Sequence, residues 1–273
     1  MKKNVLLVIL ILGLVAIAFV KLSKPASTGV IDPTLYVTGS SGKIESIQAM
    51  VDGAIKANSV GARPGLSIVV MNNGSLMVDG TISRNNHYPT IAIGMETGTE
   101  SSKKYLPALT RVMAYLQKHY HVGYVNILGY SSGGSGVLRY LVAYSDDSKY
   151  PRVNKFLSLD GQYNGSVQQD GQSYLDAIQH GPAKQSKYYQ YWQKNYRKID
   201  SRIQVDFLAS NFDPAKETDG VVPWADTFAP INLLVKNSNP VQYHIFKGTP
   251  LEHGAVAQNQ EAINYVKEFF YGQ

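Results

Sequence analysis

The chain has 273 residues, of which 44% are hydrophobic and 17% charged, a composition that is typical of a globular protein and excludes a disordered or fibrous one. Its formal net charge is +6, but four of the 26 basic residues lie in the first 24 positions, which leaves 22 basic and 20 acidic residues for the remainder. That near balance argues against a nucleic-acid-binding surface. The absence of cysteine excludes disulfides, thiol catalysis and thiolate metal sites.

Residues 1–24 predict an export signal. Two lysines precede the uncharged run at 5–20, which is dominated by Val, Leu and Ile, and Lys21 closes it. As a helix this run covers about 24 Å, slightly less than the roughly 30 Å of a hydrocarbon core, and the flanking lysines can reach outward to make up the difference. We favour an uncleaved membrane anchor followed by a linker at 25–29. The alternative is a cleaved signal, because Ala16-Ile17-Ala18 offers a small-x-small site.

From residue 30 onward, strand patterns alternate with helix patterns. Strands are predicted at 34–38, 66–71, 75–78, 90–95, 124–128, 153–159, 203–209 and 241–246. Helices are predicted at 44–57, 102–119 and 258–271, with a further helix that begins after residue 133. The second and third strands flank Asn72-Asn73-Gly74 and form a hairpin pattern. The alternation predicts an α/β fold with one mostly parallel sheet flanked by helices on both faces.

Residues 161–200 break this alternation. They are polar and rich in aromatic side chains, which are Tyr163, Tyr174, Tyr188, Tyr189, Tyr191, Trp192 and Tyr196. We interpret the segment as a helical insertion over the sheet, a cap or lid. Its tyrosines could bind glycans or peptides through their aromatic faces, although packing of the cap helices is the simpler role for most of them.

The stretch from residue 123 to 141 carries the clearest chemical signal. A predicted strand runs into Gly129-Tyr130-Ser131-Ser132-Gly133 and continues as a helix. This matches G-x-S-x-G in the strand-turn-helix context that a nucleophile elbow requires. Flanking glycines remove side chains that would collide with the neighbouring strand and helix. Ser131 is therefore the candidate nucleophile, and the alternative is a turn rich in glycine and serine with no chemistry.

A serine nucleophile needs a base, and the base needs an orienting acid. His253 lies in the loop 248–254, between the last predicted strand and the last helix. Loops at the carboxyl ends of parallel strands are where α/β sheets place their sites. His253 is therefore the candidate base. Four other histidines lack a partner pattern: His87, His119, His121 and His180. The remaining one, His244, lies inside a predicted strand.

Two aspartates compete for the role of the acid. Asp219 follows the penultimate strand through a loop, and this gives the chain order Ser131, Asp219, His253 that accompanies such an elbow in hydrolases. Asp160 directly follows the strand after the nucleophile and is the alternative acid. We favour Asp219. Two further aspartates, Asp213 and Asp226, are weaker candidates.

The loop after the first strand, Gly39-Ser40-Ser41-Gly42, can present backbone N–H groups to an anion. We expect an oxyanion hole formed by the backbone N–H groups of Ser40 and Ser132. Neither a metal nor a cofactor is expected, because the chain contains no H-E-x-x-H spacing and no G-x-G-x-x-G fingerprint.

Together these motifs resemble those of the alpha/beta hydrolases, and among them the lipase- and esterase-like cell-surface hydrolases of Gram-positive bacteria. The resemblance extends from residue 30 to the end and rests on five segments, 37–42, 129–134, 160–165, 218–222 and 251–253. It implies an alpha/beta hydrolase domain at 30–273 with a triad of Ser131, Asp219 and His253.

Two segments depart from the pattern of that family. Thr38-Gly39 stands where the family usually has His-Gly, and Tyr130 and Ser132 replace the His and Met of a Gly-His-Ser-Met-Gly elbow. Because the oxyanion donors are backbone groups, we expect activity to survive and the shape of the pocket to change.

The leading interpretation is a carboxylic-ester hydrolase that acts through an acyl-enzyme on a small-molecule or lipid-like ester. It would be exported, and either anchored through residues 5–20 with its catalytic domain outside the cytoplasmic membrane or secreted. A peptidase or acyltransferase on the same triad and a catalytically silent surface binding protein stay open as alternatives. The natural substrate and the oligomeric state are not specified by these patterns.

Overall fold

A computed structural model describes residues 31–56, 62–82, 86–167 and 172–272. The predicted export signal at 1–24 and the linker at 25–29 lie outside these residues. Within the described ranges, no helix is both long and apolar enough to cross a membrane.

The described residues form a single sheet of eight strands with helices between them. The strands are β1 (Thr34–Val37), β2 (Ala62–Val70), β3 (Leu76–Gly80), β4 (Tyr88–Met95), β5 (Tyr124–Tyr130), β6 (Arg152–Leu159), β7 (Gln204–Ser210) and β8 (Val241–Phe246). The helices are α1 (Glu45–Lys56), α2 (Ser102–Tyr120), α3 (Ser132–Tyr144), α4 (Tyr174–His180), α5 (Lys187–Asn195), α6 (Trp224–Thr227), α7 (Ile231–Lys236) and α8 (Gln260–Tyr271). Two 3-10 helices cover Tyr196–Lys198 and His253–Gln258.

The strand order is β3-β2-β4-β1-β5-β6-β7-β8. All neighbours are parallel except β3, which pairs antiparallel with β2. The turn of this hairpin uses Gly74 at a φ of 85°, a conformation that glycine adopts without a steric penalty. The prediction of a mostly parallel sheet flanked by helices is therefore confirmed.

Two hydrophobic clusters cover the two faces of the sheet. Side chains alternate between faces along each strand, so that on β1 Leu35 joins one cluster and Tyr36 joins the other. The first cluster packs beneath α2 and α3, and the second beneath α1 and α8. The parallel strands are thus buried on both faces, and their carboxyl ends meet at one edge of the sheet.

The cap insert, defined here as residues 161–200, forms α4, α5 and a 3-10 helix within its described part. α4 contacts α6 and α7, and the 3-10 helix contacts α3. Tyr163, Tyr189 and Trp192 are almost fully buried and belong to the first hydrophobic cluster. In contrast, Tyr188 remains 42% exposed. Most of the described aromatic side chains of the cap insert thus pack the fold.

Candidate active site

Ser131 occupies the turn between β5 and α3. Its backbone has φ 52° and ψ −127°, a region that a residue with a side chain rarely adopts and that costs about 1–3 kcal/mol. The loop after β1 presses against this turn. A Cβ added to Gly133 would lie 2.5 Å from the carbonyl oxygen of Thr38, and one added to Gly39 would lie 3.0 Å from the Cβ of Ser131. Close backbone packing therefore fixes the position of the serine hydroxyl.

His253 begins the 3-10 helix that follows the loop after β8, and its imidazole lies beside Ser131. The distance from Nε2 to the Ser131 Oγ is 2.9 Å. A second contact fixes the loop, because the hydroxyl of Tyr130 donates to the backbone carbonyl of His253. The two rings, Tyr130 and His253, lie 5.4 Å apart between centroids.

Asp219 completes a chain of hydrogen bonds. Its Oδ2 lies 2.5 Å from the His253 Nδ1. Its Oδ1 accepts the backbone N–H groups of Val221 at 2.7 Å and Val222 at 2.6 Å. These donors compensate the burial of a side chain that is 1% exposed. A proton on Nδ1, donated to Asp219, leaves Nε2 free to accept the hydroxyl proton of Ser131.

Asp160 lies in the same space but is not hydrogen-bonded to the imidazole. It follows β6, is fully buried and has a φ of 46°. Burial, and then the negative charge of Asp219, raise the pKa of the Asp160 carboxyl well above its usual range. Of the two aspartates that competed for the acid, Asp219 is the one that the structure bonds to His253.

The three groups Asp160, Asp219 and His253 could in principle hold a metal ion, since their polar atoms all lie within 4.8 Å of one another. The 2.5 Å between the His253 Nδ1 and the Asp219 Oδ2 is a hydrogen-bond distance. Two ligands at metal–ligand bonds of about 2.0–2.2 Å around a tetrahedral ion would be farther apart than this. The arrangement therefore fits an acid–base pair better than a metal centre.

The backbone N–H groups of Ser40 and Ser132 have no acceptor among the described residues. Ser132 is the first residue of α3, where N–H groups are unpaired and the helix dipole is positive. Ser40 follows Gly39, which packs against Ser131. Both donors are therefore available to an anion near the Ser131 hydroxyl.

Tyr105 on α2 supports this loop and has no counterpart in the motif analysis. Its hydroxyl donates to the carbonyls of Thr38 at 3.1 Å and Gly39 at 2.9 Å. It also lies 3.1 Å from the Oγ of Ser132, whose own hydroxyl donates to the carbonyl of Thr99. Burial raises the pKa of Tyr105 to about 12, so the phenol stays a neutral donor at physiological pH. One side chain thus joins the two segments that carry the proposed oxyanion donors.

Asp226, a weaker acid candidate from the sequence, has a different position. It is fully buried and accepts the backbone N–H groups of Tyr163, Asn164 and Ser166. Burial raises its pKa to about 6. Asp226 therefore holds the beginning of the cap insert to α6. Neither Asp226 nor Asp213 hydrogen-bonds to His253.

A small cavity of about 90 Å³ lies beside the elbow. It is lined by Glu100, Ser135, Gln162, Gly165 and Tyr188. The backbone N–H of Gln162 donates to the carbonyl of Ser131 at 3.4 Å, which places this cavity next to the candidate nucleophile. A larger cavity of about 570 Å³ lies between the cap insert and the loop at 218–222 that carries Asp219, called the acid loop here, and neither cavity is lined by Ser131 or His253.

The chain belongs to a family of alpha/beta hydrolases of unknown function, DUF915, which matches residues 23–273. It is similar in structure to a gene product of Listeria innocua, with 20% identity, a TM-score of 0.80 and coverage of 89% of this chain and 95% of the other. A protein described as a cell surface hydrolase from Lactobacillus plantarum has 17% identity and a TM-score of 0.72 over 89% of this chain and 92% of the other. Est1E from Butyrivibrio proteoclasticus has 13% identity and a TM-score of 0.50 over 90% of each chain. No curated protein matches the sequence.

These similarities confirm the predicted alpha/beta hydrolase fold and the resemblance to cell-surface hydrolases of Gram-positive bacteria. At such low identities, the solved structures support the fold alone.

Proposed function

We propose that this chain is a serine hydrolase that cleaves carboxylic esters through a covalent acyl-enzyme. The observation that carries the proposal is the continuous hydrogen-bonded arrangement of Ser131, His253 and Asp219, with distances of 2.9 Å and 2.5 Å. Nucleophile, base and acid in this order are the arrangement that activates a serine hydroxyl. Membership in an alpha/beta hydrolase family supports the hydrolase class.

In this mechanism the Ser131 Oγ attacks the ester carbonyl while the Nε2 of His253 takes the hydroxyl proton. The negative charge on the carbonyl oxygen is stabilised by the N–H groups of Ser40 and Ser132, each worth about 2.7–4 kcal/mol of the barrier. His253 then gives its proton to the departing alkoxide, which leaves as an alcohol. A water molecule repeats the attack on the acyl-enzyme, and the products are the carboxylic acid and free Ser131.

The size of the cavity beside the elbow favours short acyl groups. Its volume is about 90 Å³. An acetyl group fits this space and a long acyl chain does not. We therefore expect kcat/KM on a series of p-nitrophenyl esters to be highest for acetate and to fall towards octanoate. A maximum at octanoate would contradict the short-acyl preference and leave the ester hydrolase proposal intact.

The decisive test is Ser131→Ala. We expect ester hydrolysis to fall at least about 10⁴-fold and labelling by a fluorophosphonate to disappear. Ser132→Ala is the matched control, because it removes a neighbouring hydroxyl of the same motif and keeps the backbone N–H that the mechanism uses. Labelling of the Ser131→Ala protein at the wild-type rate would place the nucleophile elsewhere.

Peptidase and acyltransferase activities on the same triad differ from ester hydrolysis in the leaving group or the acceptor. A profile over esters, peptides and acyl acceptors separates these activities. For a catalytically silent binding protein, the wild-type chain would react with no serine-directed probe.

From the apolar run at 5–20 we also propose that the enzyme is exported and stays anchored to the membrane, with its hydrolase domain outside the cytoplasm. The description of the Lactobacillus plantarum protein as a cell surface hydrolase agrees with this location. Sequencing of the N-terminus of the protein recovered from membranes tests it. A start after residue 18 would show cleavage and overturn the anchor.

A further inference from the structure

Asp160 is a second buried carboxyl in the space of the proposed triad, and the acyl-enzyme mechanism assigns it no role. It is fully buried, as Asp219 nearly is. Their polar atoms and that of His253 lie within 4.8 Å of one another. Two buried carboxyl groups therefore lie close to one imidazole.

The position of Asp160 is fixed by the sheet. Its backbone N–H donates to Leu208 on β7, and its Oδ1 accepts the N–H of Ser210 at 2.8 Å. The hydroxyl of Ser210 donates in turn to the carbonyl of Leu251, in the loop that carries His253. The Oδ2 of Asp160 is buried and has no partner among the described residues. An unpartnered buried oxygen next to the imidazole calls for an explanation.

The number of donors shows which carboxyl can stay ionised. Asp219 accepts two backbone N–H groups and the imidazole. Asp226 accepts three backbone N–H groups. Asp160 accepts one, and within the described residues it pairs with no lysine or arginine. Of the three, Asp160 loses the most solvation as an anion, so the proton resides there.

The titratable groups near Asp160 also favour its neutral form. Asp219 on the acid loop is the neighbouring charge, and it raises the pKa of Asp160 in addition to the effect of burial. Tyr130 on β5 is a neighbouring phenol whose pKa is raised by burial, so it stays neutral and offers Asp160 no compensating positive charge. Of the described groups in this space, His253 is the one that becomes positive in the proposed reaction.

We propose that Asp160 stands outside the working triad as a neutral carboxylic acid beside the Asp219 carboxylate, and that it becomes the acid partner of His253 when Asp219 carries no charge. This inference rests on the proposed serine hydrolase function. A neutral Asp160 leaves one negative charge to match the one imidazolium of the reaction. A second anion this close to the imidazole would favour the imidazolium over the neutral imidazole that acts as the base.

The test compares four enzymes on one short ester: wild type, Asp160→Asn, Asp219→Asn and the double variant. Asparagine keeps the shape of a neutral carboxylic acid, so we expect kcat/KM of Asp160→Asn within about 3-fold of wild type, with an unchanged acidic limb of the pH profile. In Asp219→Asn the repulsion by Asp219 is removed and burial is left as the cause that raises the pKa of Asp160. The imidazolium formed in the reaction then stabilises the Asp160 carboxylate. We expect this variant to lose about 10²-fold, less than the roughly 10⁴-fold of a triad without its acid. The double variant should lose at least 10-fold more.

The activities of Asp160→Asn and of the double variant distinguish the proposed role of Asp160 from the alternatives. A loss in Asp160→Asn as large as that in Asp219→Asn would show that Asp160 is the ionised acid, and a double variant equal to Asp219→Asn would show that Asp160 cannot replace it. Either result overturns the proposal. Thermal denaturation of each variant excludes misfolding as the cause of a loss.

An infrared difference spectrum between wild type and Asp160→Asn at neutral pH provides a measurement that needs no catalysis. The wild type should show the carbonyl band of a protonated carboxylic acid that the variant lacks. A carboxylate signal in its place would overturn the proposal. If Ser131→Ala keeps full activity, the hydrolase mechanism fails while the infrared result still decides the protonation of Asp160.

Discussion

The nucleophile elbow and the cap insert are built on opposite physical principles. In the elbow, residues 129–134, the backbone itself is the packing surface: a Cβ added to Gly129 would lie 2.7 Å from the Cα of Gly134. In the cap insert, side chains make the contacts, and the indole of Trp192 donates to the carbonyl of Tyr163 at 2.9 Å. A backbone-packed region tolerates no added atom, whereas a side-chain-packed region loses stability in proportion to what is removed.

The guanidinium of Arg139 marks the boundary between the two regions. Arg139 belongs to α3, the helix that the elbow starts, and its Cζ lies 3.8 Å from the centroid of the Tyr191 ring in the cap insert. Its Nε donates to the Ser102 hydroxyl at 2.8 Å. Arg139 therefore joins the elbow helix to the cap insert through cation–π contacts with Tyr191 and Trp192, and mutations on each side test whether the two regions behave as separate units.

The largest effect is expected from Gly133→Ala in the elbow. The new methyl group would lie 2.5 Å from the carbonyl oxygen of Thr38, so the loop with the Ser40 N–H must move. Because a displacement of about 1 Å can cost 10²-fold in rate, we expect ester hydrolysis to fall at least about 10²-fold. Gly123→Ala is the control, since a Cβ there meets nothing within 4 Å. Equal activities of Gly133→Ala and Gly123→Ala would show that close backbone packing in the elbow is not required for activity.

Next in size is Trp192→Ala in the cap insert. The indole is 1% exposed and its removal leaves a cavity, so the free energy of unfolding should fall by about 3–5 kcal/mol in a urea titration. Tyr188→Ala is the exposed control on the same helix and should change it by less than about 1 kcal/mol. A loss of activity without loss of stability in Trp192→Ala would mean that the cap insert is part of the site and not only packed beside it.

Asp226→Asn tests the attachment of the cap insert through pH. The pKa of Asp226 is about 6 in the folded protein, against about 3.9 in an unfolded chain. A raised pKa means that the folded state holds the proton more tightly, so wild-type stability declines as pH rises from about 4 through about 6. Asparagine does not titrate. The free energy of unfolding of wild type minus that of the variant should therefore decrease by up to about 3 kcal/mol from pH 4 to pH 7. A difference independent of pH would show that Asp226 is ionised throughout.

The smallest effect is expected from Ser40→Ala. The proposed contribution of residue 40 is its backbone N–H, which alanine keeps, so kcat/KM should stay within about 3-fold of wild type. A loss near 10²-fold, with the fold intact by circular dichroism, would assign the role to the hydroxyl and contradict a backbone-built oxyanion hole.

The sequence patterns predicted the sheet better than the helices around it. The last strand, 241–246, has the predicted bounds, and the hairpin of β2 and β3 forms as its turn sequence indicates. In contrast, α6 and α7 were not predicted. They are four and six residues long, each follows a proline, and most of their residues are buried, so they show no alternation of apolar and polar faces.

For the site, the motifs and their order along the chain identified Ser131, Asp219 and His253 as candidates. In the structure, His253 lies within hydrogen-bond distance of both Ser131 and Asp219. The roles of Tyr105 and Tyr130 could not be predicted. Their hydroxyls bond to the backbone carbonyls of Gly39 and His253, respectively, which lie 66 or more positions away in the chain. A sequence does not indicate which backbone carbonyl accepts such a bond, because every residue has one.

The bond from Tyr130 to the His253 carbonyl has a consequence for motion. Ser131 and His253 are 122 positions apart, and without a cross-link their separation would vary with every fluctuation of the loop after β8. Tyr130 is covalently adjacent to the nucleophile and holds the backbone of the base, so a displacement of one carries the other with it. Together with the bond from the His253 N–H to the Asp219 carbonyl, this phenol ring restrains the distance across which the proton must pass.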